Sequence, residues 1–116
     1  MEKDKLSQIK QKALEEHIPI IMDDTLQVIE QKMKQNKPEK ILEIGTAVGY
    51  SAICFTEFLT ENGKIDTIER DEERIKEAKK NIKDMELEDK INIYSGDAVE
   101  ILPTLTGKYD MIFIDA

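Results

Sequence analysis

A short run of branched apolar residues, followed at once by two glycines, limits the possible fold of this chain more than any other stretch. Residues 41–44 read Ile-Leu-Glu-Ile and end at Gly45, which is the pattern of a strand buried within a parallel sheet. Gly49 follows four residues later, and a helical pattern begins at Ser51. Because small residues let a ligand approach the backbone and a helix start offers free N–H groups, this unit predicts a site for a nucleoside-bearing cofactor.

The spacing of the glycines separates two kinds of cofactor. A dinucleotide fingerprint requires Gly-x-Gly-x-x-Gly, whereas Ala47 and Tyr50 occupy its second and third glycine positions here. An NAD-type dehydrogenase half-domain is therefore the weaker interpretation. A glycine loop alone can also be no more than a tight turn, so the assignment of a cofactor site depends on the motifs further along the chain.

The composition bounds the class of protein. A chain of 116 residues with 40% apolar residues corresponds to one domain with a modest core. Because the sequence has no apolar run of about 18 residues and no signal peptide at Met1, we expect a cytoplasmic protein without a membrane partner. Cys54, the single cysteine, excludes an internal disulfide, and its helical spacing from Tyr50 and Phe58 favours a role in core packing. One cysteine and one histidine also exclude a Cys/His metal cluster.

The net charge of −8 is distributed unevenly along the chain. Residues 1–40 carry eight basic and eight acidic side chains, whereas residues 41–116 carry nine basic and 17 acidic ones. The nucleoside-binding part therefore holds the whole acidic excess, which is not the electrostatic footprint of a nucleic-acid-binding surface. If the substrate is RNA, its basic binding surface lies elsewhere.

Two amphipathic helices are predicted before the first strand, over residues 2–16 and from about residue 23 to residue 35. Their apolar positions at helical spacing are Leu6, Ile9 and Ala13 in the first helix and Met22, Leu26, Ile29 and Met33 in the second. We interpret the two methionines as core or interface residues. His17 has no carboxylate or nucleophile motif around it, so a surface or capping role is favoured over that of a general base.

Strands and helices alternate after the glycine loop. The predicted strands cover residues 64–69, 91–94 and 109–115, with a helix over residues 50–60, a long helix capped by Asp71 and a short helix or turn over residues 99–105. The long helix has Ile75, Ala78, Ile82 and Met85 on one face. Residues 111–114 are all apolar, which predicts that the last strand is buried on both faces. The alternation predicts an α/β fold with a Rossmann-like, doubly wound parallel sheet preceded by N-terminal helices.

Carboxylates and small residues lie at the ends of all four predicted strands, where ligands bind in sheets of this kind. At these ends the sequence has Glu43 before Gly45, Glu69, Asp97 after Gly96, and Asp115. We expect Glu69 to accept both hydroxyl protons of a ribose, and Asp97 to accept from the exocyclic amine of a base that Gly96 lets approach the backbone. Asp115 lies near the reactive end of the cofactor, where it can hold an ammonium group or a divalent cation.

Four segments together resemble the class I S-adenosylmethionine (SAM) methyltransferases, and among them the catechol-type, metal-dependent O-methyltransferases. The segments are residues 43–51, 67–70, 96–98 and 109–116. The resemblance is closest to the bacterial branch, some of whose members methylate 5-hydroxyuridine in tRNA. It implies methyl transfer from SAM to a metal-bound hydroxyl, either of such a tRNA base or of a small phenolic or catechol-like acceptor.

The resemblance also implies the residues of the site. Glu43 would help to hold the methionine part of SAM, a hydrophobic contact would come from residues 20–22, and Asp115 would be a Mg²⁺ ligand. The complete set of implied SAM-binding residues is Ile21, Glu43, Gly45, Thr46, Gly49, Tyr50, Ser51, Glu69, Arg70, Gly96, Asp97, Ala98 and Asp115.

The end of the chain departs from the family pattern. The family has seven strands, of which the first four are expected here in the order 3-2-1-4, and its catalytic lysine and remaining metal ligands would lie beyond Ala116. We therefore expect part of a longer protein, with helices over residues 1–37 and half of the SAM-binding domain over residues 38–116, that cannot complete a turnover. The unpaired apolar edge at residues 109–115 predicts a homodimer or aggregation. A non-catalytic SAM-binding module is the remaining alternative.

Overall fold

The computed structural model of the protein describes residues 2–115, and its strands and helices alternate as the sequence predicts. The helices are α1 (Lys3–Glu15), α2 (Asp23–Asn36), α3 (Tyr50–Thr56), α4 (Glu72–Asp84) and α5 (Ala98–Ile101), and a 3-10 helix covers Leu102–Thr104. The strands are β1 (Lys40–Ile44), β2 (Lys64–Glu69), β3 (Ile91–Ser95) and β4 (Met111–Ile114). Neighbouring strands pair in parallel in the order β3-β2-β1-β4, which confirms the predicted topology. None of the helices in this range has the length and apolar character needed to cross a membrane.

One face of the sheet carries most of the hydrophobic core. Ile41 of β1, Ile65 of β2 and Ile91 of β3 lie in register across this face, and all three are buried. Side chains of α1, α2, α3 and α4 pack into the same cluster, so the N-terminal helices and the sheet share one core. Phe55 of α3 meets Phe113 of β4 edge to face, with ring centroids 5.5 Å apart.

The opposite face is covered more thinly. Asp66 of β2 is buried there and accepts hydrogen bonds from the Tyr109 hydroxyl (2.8 Å) and the Asn92 side-chain amide (3.1 Å). Ile112 and Ile114 of β4 are 59% and 62% exposed, so the prediction that this strand is buried on both faces is wrong. Alternate side chains of a strand point to opposite faces, and only the other two side chains of β4 pack against the core.

The helix ends follow local signals in the sequence. Asp71 caps α4 by accepting a hydrogen bond from a first-turn N–H at 3.1 Å, as predicted. His17 lies just after α1 with a φ of 57°, and it is exposed. The N–H of His17 donates to the Leu14 carbonyl (3.2 Å) and that of Ile18 donates to the Ala13 carbonyl (2.9 Å), which is a Schellman motif. The predicted capping role of His17 is therefore confirmed.

Two expectations about the helices need correction. Met33 is buried, but Met22 is 69% exposed because it is the extended N-cap residue of α2 rather than part of the helical repeat. The prediction that Met22 is a core residue is therefore wrong, whereas an interface role stays a prediction. Helix α3 ends at Thr56 rather than near residue 60, because the N–H groups of residues 57–59 bond to carbonyls three residues back. The chain thus tightens into a 3-10 turn before the predicted stop.

Candidate functional site

A cavity of about 370 Å³ opens at the carboxyl ends of the strands, where ligands bind in parallel sheets. Its walls come from the ends of β1, β2 and β3 and from the residue that follows β4: Ile44, Gly45, Ile68, Glu69, Arg70, Gly96, Asp97, Ala98 and Asp115. The structure therefore brings together seven of the predicted site residues from four separate stretches of the chain. The other two lining residues, Ile44 and Ile68, were not predicted, and they add apolar surface to the cavity.

Gly45 begins the glycine loop (residues 45–49) at the edge of this cavity. Its φ of 100° is one that residues with side chains rarely adopt, and a Cβ atom here would overlap the carbonyl oxygen of Asp115. The Gly45 N–H donates to the Ile68 carbonyl at 2.9 Å, and the Asp115 N–H donates to the Ile44 carbonyl at 2.9 Å. Because Asp115 crowds this position, only glycine fits where the ends of β1 and β4 meet.

The Glu69 carboxylate is held at the cavity wall by backbone N–H groups. Its Oε1 accepts from the Ala47 N–H at 2.8 Å, and its Oε2 accepts from the N–H groups of Arg70 (3.2 Å) and Asp71 (3.1 Å). Each carboxylate oxygen has room for about two donors, so Oε1 can still accept a hydrogen bond from a ligand hydroxyl. Glu69 thus ties the glycine loop to β2 and lines the cavity at the same time.

Gly96 and Asp97 form the wall at the end of β3. The Gly96 N–H donates to the Glu69 carbonyl at 2.8 Å, which places the two strand ends side by side. Asp97 caps α5 by accepting from the Val99 N–H at 2.9 Å, and its second oxygen lies 3.9 Å from the Arg70 guanidinium. The Asp97 side chain is 48% exposed, so that second oxygen is open to a hydrogen-bond donor on a ligand.

Beneath the glycine loop, four buried side chains form a continuous hydrogen-bonded network. Thr67 of β2 donates from its hydroxyl to Glu43 Oε1 at 2.7 Å, and Ser51 of α3 donates to Glu43 Oε2. The Thr46 and Thr67 hydroxyl oxygens lie 2.6 Å apart, and Thr46 is the donor because Thr67 uses its proton toward Glu43. The network therefore joins the loop, β1, β2 and α3 out of contact with water.

Glu43 is fully buried and does not line the cavity. Burial raises the pKa of Glu43 to about 7; the hydrogen bonds from Ser51 and Thr67 oppose that shift, and the negative charges of Asp115 and Glu69 add to it. Both carboxylate oxygens already accept hydroxyl protons. The geometry thus makes Glu43 a support beneath the loop, although the resemblance implied contact with the methionine part of the ligand.

Three further predicted residues also lie away from the cavity. Ile21 is buried in the hydrophobic core, and Tyr50 is buried in the first turn of α3, where desolvation raises the pKa of its hydroxyl. Gly49 precedes α3 with a φ of 86° and packs against Ala78 of α4. Burial also raises the pKa of the Cys54 thiol to about 12, and its predicted role in core packing is confirmed.

Two residues that hold the loop in place were not predicted from the sequence. Thr67 lies two residues before Glu69, so strand alternation places both side chains on one face of β2, and that was a usable signal. Asn81 of α4 donates from its buried side-chain amide to the Val48 carbonyl at 2.8 Å. No motif marks Asn81, because the contact joins residues 33 positions apart.

The described residues do not form a complete cation site. Asp115 is exposed at the edge of the cavity, but no group of three or more His, Cys, Asp or Glu side chains within residues 2–115 is placed to hold a metal ion. Mg²⁺ requires near-octahedral oxygen coordination, which one carboxylate cannot supply.

Comparison with known proteins gives a consistent result. The family model described as O-methyltransferase matches residues 2–116. A catechol O-methyltransferase of Niastella koreensis is 43% identical over 82 residues, which cover 67% of this chain and 37% of that protein. A Staphylococcus aureus protein proposed to be a caffeoyl-CoA O-methyltransferase is 38% identical with a TM-score of 0.89, over 96% of this chain and 53% of that structure. The O-methyltransferase TomG of Streptomyces achromogenes, solved in complex with SAM, is 29% identical with a TM-score of 0.87, over 100% of this chain and 55% of that structure.

Proposed function

The chain belongs to the O-methyltransferase family, and from that premise we propose that its cavity at the strand ends binds SAM for methyl transfer to a hydroxyl group. The observation that carries the proposal is the cavity itself, in which Gly45, Glu69 and Asp97 from three strand ends line one space. TomG, which has a similar structure, was solved with SAM bound, and this supports the choice of cofactor. The chain spans about half the length of the similar solved structures, so the activity is proposed for the protein as a whole.

We assign each part of SAM to the residues whose chemistry suits it. Glu69 accepts a ribose hydroxyl at Oε1, the oxygen with room for a further donor. Asp97 accepts from the exocyclic amine of the adenine, which lies over Gly96. Gly45 leaves space for the methionine part to pass close to the backbone, while Arg70 and Ala98 line the nucleoside side of the cavity. Of the remaining predicted residues, Ile21 is part of the hydrophobic core, and the others act by shaping the loop and the start of α3, namely Glu43, Thr46, Gly49, Tyr50 and Ser51.

For the methyl acceptor, we propose a small phenolic or catechol-like molecule. The names of the relatives support this choice, since they include a catechol O-methyltransferase and a caffeoyl-CoA O-methyltransferase. The 5-hydroxyuridine of tRNA is the second candidate. It is disfavoured by the charge of residues 41–116, which carry 17 acidic and nine basic side chains.

Metal dependence is proposed on the resemblance alone, with Asp115 as one ligand of a divalent cation. When bound, such a cation would supply charge that favours the ionised form of the acceptor hydroxyl. Residues 2–115 alone do not complete the coordination of such a cation. The division of the chain into N-terminal helices (residues 1–37) and a SAM-binding part (residues 38–116) also stands as a proposal.

Calorimetric titration with S-adenosylhomocysteine, the demethylated product of SAM, tests the site on the chain itself. We expect Glu69→Ala to weaken binding at least tenfold, because a charge-assisted hydrogen bond at about 1.5–3 kcal/mol is lost. Glu72→Ala is the matched control, since Glu72 is an exposed carboxylate three residues further along the chain. An unchanged dissociation constant in Glu69→Ala would refute the ribose assignment, and tighter binding of NADH would favour the dehydrogenase alternative.

For the chain of residues 1–116, a homodimer through the outer edge of β4 is also proposed, whereas a protein that contains the family's fifth strand would keep this edge internal. Within residues 2–115 that edge pairs with no other strand, and its Ile112 and Ile114 side chains are exposed. Apolar strand edges of this kind pair readily with a second chain. Light scattering should therefore detect dimers or larger species that Ile112→Lys reduces, and a monomer at high concentration would contradict the proposal.

A further inference from the structure

A groove of about 580 Å³ runs between α4 and the edge strand β3, separate from the cofactor cavity. Its floor is apolar and is formed by Ile82 of α4 together with Ile91 and Ile93 of β3. Lys79 and Lys83, one helical turn apart on α4, line one side of it. We propose that this groove binds an acidic peptide segment of another protein, which adds to the sheet as a strand beside β3.

The backbone of β3 is free to accept such a strand. In a parallel ladder, the N–H and C=O groups of alternate residues point to the same neighbour. The Lys90 carbonyl accepts from the Ile65 N–H at 2.8 Å, and the Gly96 N–H donates to the Glu69 carbonyl at 2.8 Å, so the even-numbered residues face β2. Ile93 and Ser95 therefore direct their backbone groups outward, and β3 pairs with no strand on that side within residues 2–115.

The charge of the groove selects the class of partner. Residues 41–116 carry a strong acidic excess, yet three lysines, at positions 79, 80 and 83, line this groove. Lys80 pairs with Asp84 at 3.4 Å, whereas the Lys79 and Lys83 ammonium groups enter no ion pair with the residues that the structure describes. An incoming strand with carboxylates on one face would meet these two ammonium groups while its backbone pairs with β3.

Two other occupants fit the groove less well. A second copy of the chain docked β3 against β3 would bring the lysines of both copies together, and like charges at an interface are costly. RNA would be attracted by the lysines, but it has no polypeptide backbone to extend the β3 ladder and would leave the apolar floor of the groove unused. The apolar floor and the free strand edge favour an extended polypeptide.

Fluorescence anisotropy with a labelled eight-residue peptide of alternating glutamate and valine tests the proposal. In an extended peptide, alternation places all glutamates on one face, where they can meet Lys79 and Lys83. We expect saturable binding that the double substitution Lys79→Glu/Lys83→Glu weakens at least fivefold, which corresponds to the loss and reversal of two surface charge pairs. Lys3→Glu/Lys32→Glu is the matched control, because it changes the net charge equally on the exposed surfaces of α1 and α2.

A backbone-modified peptide separates strand addition from simple charge attraction. The same peptide with N-methyl groups at alternate residues keeps its charges but loses the N–H donors that pair with β3, so its binding should be lost. Equal binding of the two peptides would overturn the proposal, as would unchanged binding in the charge-reversed groove variant. Tighter binding of a labelled ten-residue oligouridine that the same two substitutions abolish would also overturn it, in favour of RNA.

Discussion

Glu43 of β1 and Glu69 of β2 both lie beside the glycine loop, but their surroundings differ. The comparison distinguishes a carboxylate that supports the fold from one that a ligand can contact. Glu43 is fully buried and accepts hydrogen bonds from the hydroxyls of Ser51 and Thr67. Glu69 lies at the cavity wall and is held by backbone N–H groups. The pairing of Glu43 with Thr67 explains the difference, since Glu69 lies two residues further along β2, about 7 Å nearer the strand end. This displacement of two residues along β2 places the Glu69 carboxylate where a ligand can reach it, whereas the Glu43 carboxylate stays buried.

The largest expected effect is on stability, at Glu43. Replacing it with Ala would leave a cavity and two buried hydroxyls without their acceptor, so we expect Glu43→Ala to lower the free energy of unfolding by about 3 kcal/mol at pH 5, and by less at higher pH. Glu69→Ala should cost less than half of that, because water can satisfy the N–H groups that it leaves at the cavity wall. Urea denaturation of both variants measures the difference. Equal losses of unfolding free energy in the two variants would contradict the distinction between Glu43 as a support of the fold and Glu69 as a residue of the cavity wall.

The second prediction concerns pH. Burial raises the pKa of Glu43 in the folded protein to about 7, above the value of about 4.3 for an exposed glutamate. The folded state therefore binds this proton more tightly than the unfolded state, and the stabilisation is lost as the pH rises from about 4.3 to about 7. We expect Glu43 to contribute a fall in unfolding free energy on the order of 3 kcal/mol between pH 5 and pH 8.

Glu43→Gln cannot titrate and provides the control for this pH dependence. Its unfolding free energy should be nearly independent of pH over the part of the range that Glu43 governs. If the parent protein and Glu43→Gln show the same slope between pH 5 and pH 8, the slope arises from other groups and the prediction fails.

Much of the fold could be predicted because it depends on short-range patterns. The branched residues of β1, the Asp71 cap and the helical repeat of α4 each specify their element within a few positions. The strand order, by contrast, came from the family resemblance. Two predictions failed for a local reason: Met22 fits a helical repeat by spacing but precedes the helix, and Ile112 fits a buried strand although β4 lies at an edge.

The site was predicted less completely, because burial at strand ends depends on register. All four acidic residues at the strand ends were identified, but the sequence does not show which pair of residues becomes aligned when β1 meets β2. That alignment buries Glu43 beside Thr67 and leaves Glu69, two residues further along β2, closer to solvent. The hydrogen bond from the Asn81 side chain to the Val48 carbonyl could not be predicted either. It joins distant parts of the chain through a side chain with many possible partners.

A smaller effect is expected from Thr67, which links the loop to Glu43. Thr67→Val keeps the shape of the side chain but removes the donor to Glu43 and the acceptor for Thr46, so we expect a loss of about 1–2 kcal/mol in unfolding free energy. Because this hydrogen bond lowers the pKa of Glu43, the pH dependence should also extend to higher pH in Thr67→Val. Thr67→Ser, which keeps the hydroxyl, should restore most of both properties. Equal behaviour of the Val and Ser variants would show that the hydroxyl has no such role.

The smallest expected effect lies on the open side of the comparison, at Asp97. Asn is as good a helix cap as Asp, so Asp97→Asn should keep the hydrogen bond to the Val99 N–H and change the unfolding free energy by less than about 0.5 kcal/mol. It removes the charge near Arg70, however, and puts an amide NH2 group, which donates hydrogen bonds, in place of the second oxygen that is proposed to accept from the adenine amine. We expect binding of S-adenosylhomocysteine to weaken about fivefold, as for the loss of one partly exposed charge-assisted hydrogen bond. Calorimetry and urea denaturation on the same preparation test both halves of this expectation. A loss of stability without a loss of affinity would place Asp97 with Glu43 among the residues that support the fold, and the proposed boundary between support and binding surface would then be in the wrong place.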